Sequence, residues 1–216
     1  MRGLLKIVGI VALVAVAVPV GAAAAASSKD QALLDAGLVR PTDVPETWGQ
    51  STQADTGLSQ LNKIPACKQY RALVVVARKN AFRLSPRFSD PSNGGGTSAE
   101  DTVYVFKNAA TATKYVTGIF NGSAVSCLQT FLQRQVGSQG EVGPLTPITG
   151  LGGVGDQSLG VEADITLPQG TEVVDEVGVR VGRAFVGFAF TNPNNTIPEG
   201  PAVVNAVVNR LSQAGA

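Results

Sequence analysis

The stretch SLGVEADITL, residues 158–167, alternates strictly between polar and apolar side chains. Its apolar positions are Leu159, Val161, Ala163, Ile165 and Leu167. Because successive side chains of an extended strand point to opposite faces, a period of two gathers all of these on one face. The stretch therefore predicts an antiparallel strand with one face on a core and the other toward solvent.

The residues that follow, VVDEVGVRVGRAFVGFAFT (173–191), predict a hairpin that turns at Gly182-Arg183. Glycine at the first position of a two-residue turn supplies the positive φ that such hairpins require. The register that this turn imposes pairs apolar residues throughout: Val181 with Ala184, Val179 with Val186, and Val177 with Phe188. With residues 158–167, the hairpin predicts a three-stranded antiparallel meander.

Upstream of the meander, apolar residues recur with the spacing expected of a helix instead of a strand. After a predicted strand at TVYVF (102–106), Asn108 is the expected N-cap of a helix with apolar positions Ala112, Tyr115, Val116, Ile119 and Phe120. Ser123 is the expected cap of a second helix. Its apolar face comprises Ala124, Cys127, Leu128, Phe131 and Leu132. Cys127 is therefore predicted to face the core.

A helix is also predicted at each end of the chain. Residues 29–39 offer the apolar side chains of Leu33, Leu34, Ala36 and Leu38. At the C-terminus, Pro201 suits the first turn of a helix with the apolar face Val204, Val207, Val208 and Leu211. Together these elements predict an α+β domain in which an antiparallel sheet, with its meander near the C-terminus, packs against several helices.

The segment between the N-terminal helix and residue 102 is harder to interpret. Leu58, Leu61 and Ile64 fit one helical face, and RALVVVA (71–77) suits either a strand or a helix extended from Lys68. AFRLSPRF (81–88) alternates and favours one strand, whereas SDPSNGGGTSAED (89–101) has the composition of an exposed flexible loop. Trp48, the one tryptophan, is expected at the edge of the core.

The N-terminus has the layout of a secretory signal peptide. Arg2 and Lys6 precede the apolar run 7–20, which an alanine-rich stretch follows. Cleavage near Ala25 or Ala26 would leave one domain, residues 27–216, and an uncleaved segment acting as an anchor is the alternative. The sequence thus predicts a secreted or envelope-located protein whose contact with a membrane is limited to that segment.

Composition excludes several classes of function. Removing Arg2 and Lys6 leaves 15 of the 17 basic residues against 16 acidic ones, a net charge of −1. No basic stripe remains, so nucleic acid is not an expected partner. The full sequence contains no histidine. That absence removes Ser-His and Cys-His nucleophiles and the commonest ligand of transition metals. We predict no catalytic, cofactor-binding or metal-binding residues.

Three motifs are candidate sites by composition. GLGGVG (150–155) matches a dinucleotide fingerprint, but it leads into a strand rather than a helix, which favours a plain loop. Glu172, Asp175 and Glu176 form an acidic cluster that we expect to be solvated charges beside a hairpin turn. Ser158 lacks the spacing of a nucleophile elbow. Asn121 and Asn194 begin N-glycosylation sequons, but the signal and composition look bacterial, which gives that interpretation little weight.

The two cysteines, Cys67 and Cys127, lie sixty positions apart. That spacing does not fit a C-x-x-C redox pair, and without histidine the pair makes a poor zinc site. An even number of cysteines in an exported chain favours a structural disulfide. Two separate buried thiols are the alternative.

Several stretches together resemble a family: DVPETWG (43–49), PAC (65–67), VYVF (103–106), CLQTF (127–131), GVGDQS (153–158) and VGVRVGRAFVGFAF (177–190). They are similar to actinobacterial exported sensor domains typified by the extracellular domain of PknH-type serine/threonine kinases, and to PsbP-like α+β proteins of the mycobacterial envelope. The resemblance spans nearly all of residues 30–214. It implies a mixed sheet flanked by helices, with a cleft for an envelope-derived ligand.

The kinase members carry more cysteines than this single pair, and no kinase segment accompanies the domain, so the resemblance does not imply transmembrane signalling. We therefore predict a non-enzymatic, sensor-like binding domain of the cell envelope, whose partner is an envelope ligand or another protein. An exported hydrolase using carboxylates or a Ser-Lys pair is one alternative. A structural cell-wall protein is another.

Overall fold

A computed structural model describes residues 26–53, 61–193 and 200–216. Within these ranges it contains the helices α1 (Ser28–Gly37), α2 (Lys68–Ala77), α3 (Ala109–Ile119), α4 (Gly122–Val136) and α5 (Gly200–Gln213). The strands are β1 (Gly49–Ser51), β2 (Ala81–Leu84), β3 (Arg87–Ser89), β4 (Ser98–Val105), β5 (Glu141–Val142), β6 (Thr146–Pro147), β7 (Gln157–Leu167), β8 (Gly170–Val181) and β9 (Ala184–Asn192).

The described strands form one sheet in the order β1-β3-β4-β9-β8-β7-β5, with β2 also pairing with β4 and β6 with β7. Every described pairing is antiparallel. The predicted α+β class is confirmed. The mixed sheet that the family resemblance implied is not observed, because adjacent strands here run in opposite directions throughout.

The meander β7-β8-β9 forms the centre of the fold. Val181 pairs with Ala184 and Val177 with Phe188, which is the register predicted from the sequence. Gly182 has a φ of 55° at the turn, a conformation that side-chain-bearing residues adopt at a cost. The alternation of β7 is confirmed from Val161 to Leu167; Leu159 is 37% exposed, and Gly160, on the predicted polar face, is buried. Leu159 pairs with Gly178 and therefore finds no side chain beside it on that strand.

Helices cover both faces of the sheet. On one face, α2, α3 and α4 pack over a cluster that includes Tyr104 and Phe185; on the other, α1 and α5 pack over Val103 and Val186. As a result every residue of β4 and β9 is buried. A strand buried on both faces carries a nearly continuous apolar run, which explains the composition of AFVGFAF in β9.

A disulfide bond joins Cys67 and Cys127, as predicted. It connects the 3-10 turn Pro65–Cys67, just before α2, to the middle of α4. Both half-cystines are fully buried in the cluster under α2, α3 and α4. The bond therefore fixes the start of α2 against α4 inside the core.

The helices begin largely where the sequence indicates. Asn108 caps α3 by accepting a hydrogen bond from the backbone N–H of Thr111 at 2.9 Å. The predicted cap of the next helix, Ser123, is wrong: Asn121 caps α4 by accepting from Ala124 N–H at 2.9 Å. Asn121 is thus engaged in a helix terminus, and Ser123 donates to its side chain. RALVVVA, which suited either a strand or a helix, is helical and belongs to α2.

Two predictions for residues 81–101 are wrong. AFRLSPRF forms two short strands, β2 and β3, separated at Ser85-Pro86 rather than one. The predicted loop 89–101 ends early, because Ser98–Asp101 form the first half of β4 and are buried. Asp101 accepts a hydrogen bond from Val39 N–H at 2.8 Å. Ser98–Asp101 are mostly polar, so the sequence does not look like a buried strand. They are buried because other elements pack on both faces of β4.

Some predictions lie outside the described residues: the signal peptide up to residue 25, Leu58, and the sequon at Asn194. Trp48 packs partly buried against the cluster beneath α1 and α5, at the edge of the core as expected. In the described ranges, we find no helix with both the length and the apolar character needed to cross a bilayer.

Candidate functional site

A cavity of about 280 Å³ opens between α5, strands β8 and β9, and the loop that precedes β7. We call it the α5 cleft. Its described lining residues are Ile148, Thr149, Gly150, Leu151, Val154, Asp175, Val177, Phe190, Gly200, Pro201, Val204 and Asn205. Most of these are apolar, and Asp175 is the one ionisable residue among them.

The floor of the α5 cleft is built by cross-strand neighbours. Asp175 pairs with Phe190 of β9 on one side and with Glu162 of β7 on the other. Val177 follows Asp175 by two positions on the same strand, so it faces the same side of the sheet. Val177 and Phe190 are buried. Asp175 is therefore a carboxyl group set into an otherwise apolar floor.

The GLGGVG loop forms one wall of the cleft. Its residues Gly150, Leu151 and Val154 line the cavity, together with Ile148 just before it. Ile148 N–H donates to the Gly160 carbonyl at 3.0 Å, and Asp156 N–H donates to the Arg180 carbonyl at 2.8 Å. Hydrogen bonds thus hold the loop to β7 at one end and to β8 at the other.

Gly160 allows this wall to lie close to the sheet. A Cβ atom at that position would stand 3.0 Å from Leu151 Cδ1 and 3.1 Å from Ile148 Cδ1. These distances are tighter than ordinary van der Waals contact, so the space that a side chain at Gly160 would need is filled by the wall residues. Gly160, the one glycine of β7, thus has a packing role that the alternation of polar and apolar residues along the strand did not reveal.

The opposite wall is the first part of α5. Val204 is buried, whereas Pro201 is exposed at the rim and Asn205 lies beside it. The helix is fixed by Arg210, whose guanidinium binds both carboxylate oxygens of Asp43 at 2.7 Å and also donates to the carbonyl of Leu38. A planar fork suits this bidentate geometry. The position of α5, and hence the width of the cleft, is set by that anchor and by apolar packing.

Asp175 has an unusual environment for a carboxyl group. Burial, followed by the neighbouring charge of Glu162, raises the pKa of Asp175 to about 7. The oxygen Oδ1 of Asp175 is buried and has no hydrogen-bond partner in the part of the chain that the structure describes. Asp175 therefore carries a buried, unsatisfied acceptor next to the cleft.

A second buried acidic pair lies on the other face of the sheet. Glu100 and Glu176 are each 3% exposed and flank Ala189 in one cross-strand row. Burial raises the pKa of Glu100 to about 7 and that of Glu176 well above its ordinary value, with the charge of Glu100 as a further cause for Glu176. Neither residue lines the α5 cleft.

The expectation that Glu172, Asp175 and Glu176 are solvated charges is wrong for the last two. The hairpin turn lies at 168–169, so Asp175 and Glu176 sit in the middle of β8 rather than beside the turn. Asp175 faces α5 and is partly buried at the floor of the cleft, whereas Glu176 faces the α2–α4 layer and is buried beneath it. Neither environment was predicted, because the sequence analysis placed both residues beside the hairpin turn.

The remaining motifs have structural roles. GLGGVG is a loop before a strand, as predicted, and Ser158 Oγ donates to the carbonyl of Leu151 in that loop. Cys67 and Cys127 lie on the face of the sheet opposite the α5 cleft. The described ranges contain no group of three or more His, Cys, Asp or Glu residues arranged to hold a metal ion.

A second, wider cavity of about 560 Å³ lies at the far edge of the sheet. Its described lining residues are Gln50, Ser51, Thr52, Gln53, Leu84, Ser85 and Pro86. They belong to a three-residue edge strand, to the residues just after it and to the break between β2 and β3. This cavity is broad and mainly polar, so it offers less enclosure for a small ligand than the α5 cleft.

Comparison with known proteins gives a distant structural similarity. The extracellular domain of PknH from Mycobacterium tuberculosis superposes with a TM-score of 0.46 and 8% sequence identity, over 69% of this chain and 76% of that one. No protein-family model matches the sequence. No curated protein matches it either.

Proposed function

We propose that this protein is an exported, non-enzymatic binding domain of the cell envelope, and that the α5 cleft is its site for a small apolar ligand. The observation that carries the proposal is the cleft itself: a cavity of about 280 Å³ whose floor and two walls are mostly apolar, placed between a sheet and a helix. Pockets of this kind are the usual sites of small-molecule binding.

The dimensions of the cleft limit its ligand. Small-molecule pockets usually measure roughly 300–1,000 Å³, so a cavity of about 280 Å³ suits an aliphatic chain or a small ring. Lining residues such as Val177, Phe190 and Val204 offer no hydrogen-bonding side chains to a sugar. We therefore favour the hydrocarbon part of an envelope lipid or a related amphiphile over a glycan.

Two features support an extracytoplasmic location. The first 26 residues have the layout of a signal peptide, with a basic start and an apolar run. The buried disulfide between Cys67 and Cys127 is of the kind that forms and persists in oxidising compartments. On this proposal, residues 27–216 act as one sensor-like domain after export.

The alternatives gain less support. Carboxylate-based glycosidases hold their two carboxyl groups about 5 Å or more apart across the scissile bond. Asp175 and Glu162 instead stand side by side on adjacent strands, and only Asp175 is among the described residues that line the cleft. The hydroxyl of Ser158 is bonded to a backbone carbonyl. A purely structural wall protein gives no reason for an unsatisfied carboxylate in an apolar cleft.

The proposal is tested with 1-decanol, a neutral probe with an aliphatic chain. Native mass spectrometry and isothermal titration should show one decanol bound per chain in the protein comprising residues 27–216. Val204→Phe places a larger side chain in the cleft and should weaken binding at least tenfold. Val75→Phe is the matched control, since Val75 is an exposed valine of α2 on the opposite face of the sheet.

Failure of the wild-type protein to bind decanol, or equal binding by Val204→Phe, would overturn the α5 cleft as the ligand site. If Val204→Phe proves unfolded by circular dichroism, Leu151→Trp fills the cleft from the loop side and takes its place. Leu151 is only partly buried and lies in the loop wall, so enlarging it perturbs the core less.

A further inference from the structure

We infer that the α5 cleft selects amphiphiles with a cationic, hydrogen-bond-donating head, such as a primary alkylamine, and that Asp175 determines this selectivity. The inference rests on the proposed function, since it assigns a head-group class to the ligand of that same cleft. It goes further in naming the one residue that distinguishes an amine from a neutral or anionic head.

The unsatisfied oxygen of Asp175 favours a head group that donates hydrogen bonds. Asp175 Oδ1 is buried and accepts no hydrogen bond from any described residue. A buried acceptor without a partner costs roughly 1–3 kcal/mol. An ammonium head has three N–H donors to offer the carboxyl group of Asp175, which lines the cleft, while the chain lies against the apolar residues of the floor. A carboxylate head has no donor to offer.

The charge of the cleft favours a cation. No described lining residue is basic, so nothing in the cleft offers a counter-charge to an anionic head. Asp175 pairs with Glu162 across the strands, and both side chains are acidic, so the charge that these two residues bring to the floor is negative. An ammonium beside them gains a counter-ion in a partly desolvated site, where such a pair is stronger than in water.

One feature opposes this selectivity. The first turn of α5 lines the cleft through Gly200 and Pro201. The start of a helix carries a partial positive charge of about one half, which favours anions. Pro201 has no N–H to offer a ligand. A full negative charge held on the floor by Asp175 and Glu162 outweighs this half-charge at the rim, so the cation is favoured.

The titratable surroundings of Asp175 define how binding responds to pH. Glu162 on β7 is the ionisable group that faces Asp175. No ionisable side chain comes from Phe190 on β9, from the loop residues 148–154 or from the described lining residues of α5. With the pKa of Asp175 raised to about 7, deprotonation around neutral pH adds negative charge to the cleft. Alkylamine affinity should therefore rise between about pH 6 and pH 8, and binding near the lower pH should release a proton.

The experiment compares decylamine, 1-decanol and decanoate, which share one chain length and differ in the head. Titration calorimetry on the protein comprising residues 27–216 should give an affinity order of amine, then alcohol, then carboxylate, with at least a tenfold gap between amine and alcohol. Asp175→Asn should lower decylamine affinity about tenfold and leave decanol within twofold. Asp164→Asn, at an exposed aspartate two positions from Glu162 on β7, is the matched control and should change neither.

The outcomes separate the two proposals. If all three probes fail to bind, the α5 cleft is not a ligand site and both proposals fall. If decanol binds and decylamine binds no more tightly, or if Asp175→Asn retains the amine preference, the selectivity assigned to Asp175 is wrong while the cleft stands. Decanol binding by Asp175→Asn shows that the variant is folded at the cleft. If Asp175→Asn no longer binds decanol, Glu162→Gln decides the question. That variant should weaken the preference for the amine and leaves the residues of the cleft floor unchanged.

Discussion

Glu100 and Glu176 lie on opposite sides of Ala189 in one row of the sheet, both facing the α2–α4 layer and both almost completely buried. Neither oxygen of Glu176 has a hydrogen-bond partner in the described part of the chain. Two acidic side chains in a buried row repel each other when charged. Their burial therefore favours the protonated forms and makes the stability of the fold depend on pH.

The first prediction is that the protein becomes more stable as the pH is lowered from about 8 toward 5. A carboxyl group whose folded pKa is raised contributes stability below its unfolded pKa and loses it as the pH rises through the folded value. For Glu100, a rise in pKa from 4.5 to about 7 lowers the unfolding free energy by about 3 kcal/mol between pH 4 and pH 8. Urea denaturation at each pH measures this.

Glu176→Gln should flatten that dependence and raise the unfolding free energy at the alkaline end, since it removes a buried charge and keeps the shape. Glu46→Gln, at an exposed position, is the control and should reproduce the wild-type curve. A wild-type protein whose stability increases steadily with pH across the same range would contradict the assignment of these two glutamates as buried neutral acids.

The second prediction concerns the disulfide. Replacing both Cys67 and Cys127 by alanine should lower the unfolding free energy by about 4 kcal/mol, because the bond closes a loop of sixty residues in the unfolded chain. Urea denaturation with and without reductant provides the measurement. Reductant should destabilise the wild-type protein and leave the double variant unchanged. Two free thiols per chain in unreduced, denatured wild-type protein would rule the bond out.

The third prediction tests the anchor of α5. Arg210→Ala should destabilise the protein by about 3 kcal/mol, because it leaves the largely buried carboxylate of Asp43 without its charged partner. Arg210→Lys should recover only part of this loss, since an ammonium cannot form the same fork. Arg134→Ala removes an exposed arginine that donates to one carbonyl, and should change little. Equal losses at Arg210 and Arg134 would show that the ion pair does not hold α5.

The fourth prediction tests the loop wall of the α5 cleft. Gly160→Val should force Leu151 and Ile148 away from β7, costing about 1–3 kcal/mol as an overpacked site. The same substitution should weaken decanol binding, because both displaced residues line the cavity. Gly152→Val is the control, since Gly152 lies in the loop itself and a Cβ atom there would meet open space. If Gly160→Val leaves both stability and binding unchanged, the loop does not pack as described.

Local periodicity was enough to define several elements of this fold before any tertiary contact was known. The alternation of residues 158–167, the Gly182 turn and its cross-strand register all follow from a period of two and one glycine. The helical faces of α3, α4 and α5 follow from a period of 3.6. Even the disulfide pairing followed from counting, because two cysteines allow only one bridge.

Which polar residues become buried depends instead on long-range packing. Ser98–Asp101 look like loop and Glu176 looks like a solvated charge, because local patterns describe one strand at a time. Their burial comes from helices that are distant in sequence: α2 to α4 on one face, α1 and α5 on the other. The α5 cleft likewise exists only where residues 148–154, β8 and α5 meet, so no single stretch of sequence contains it.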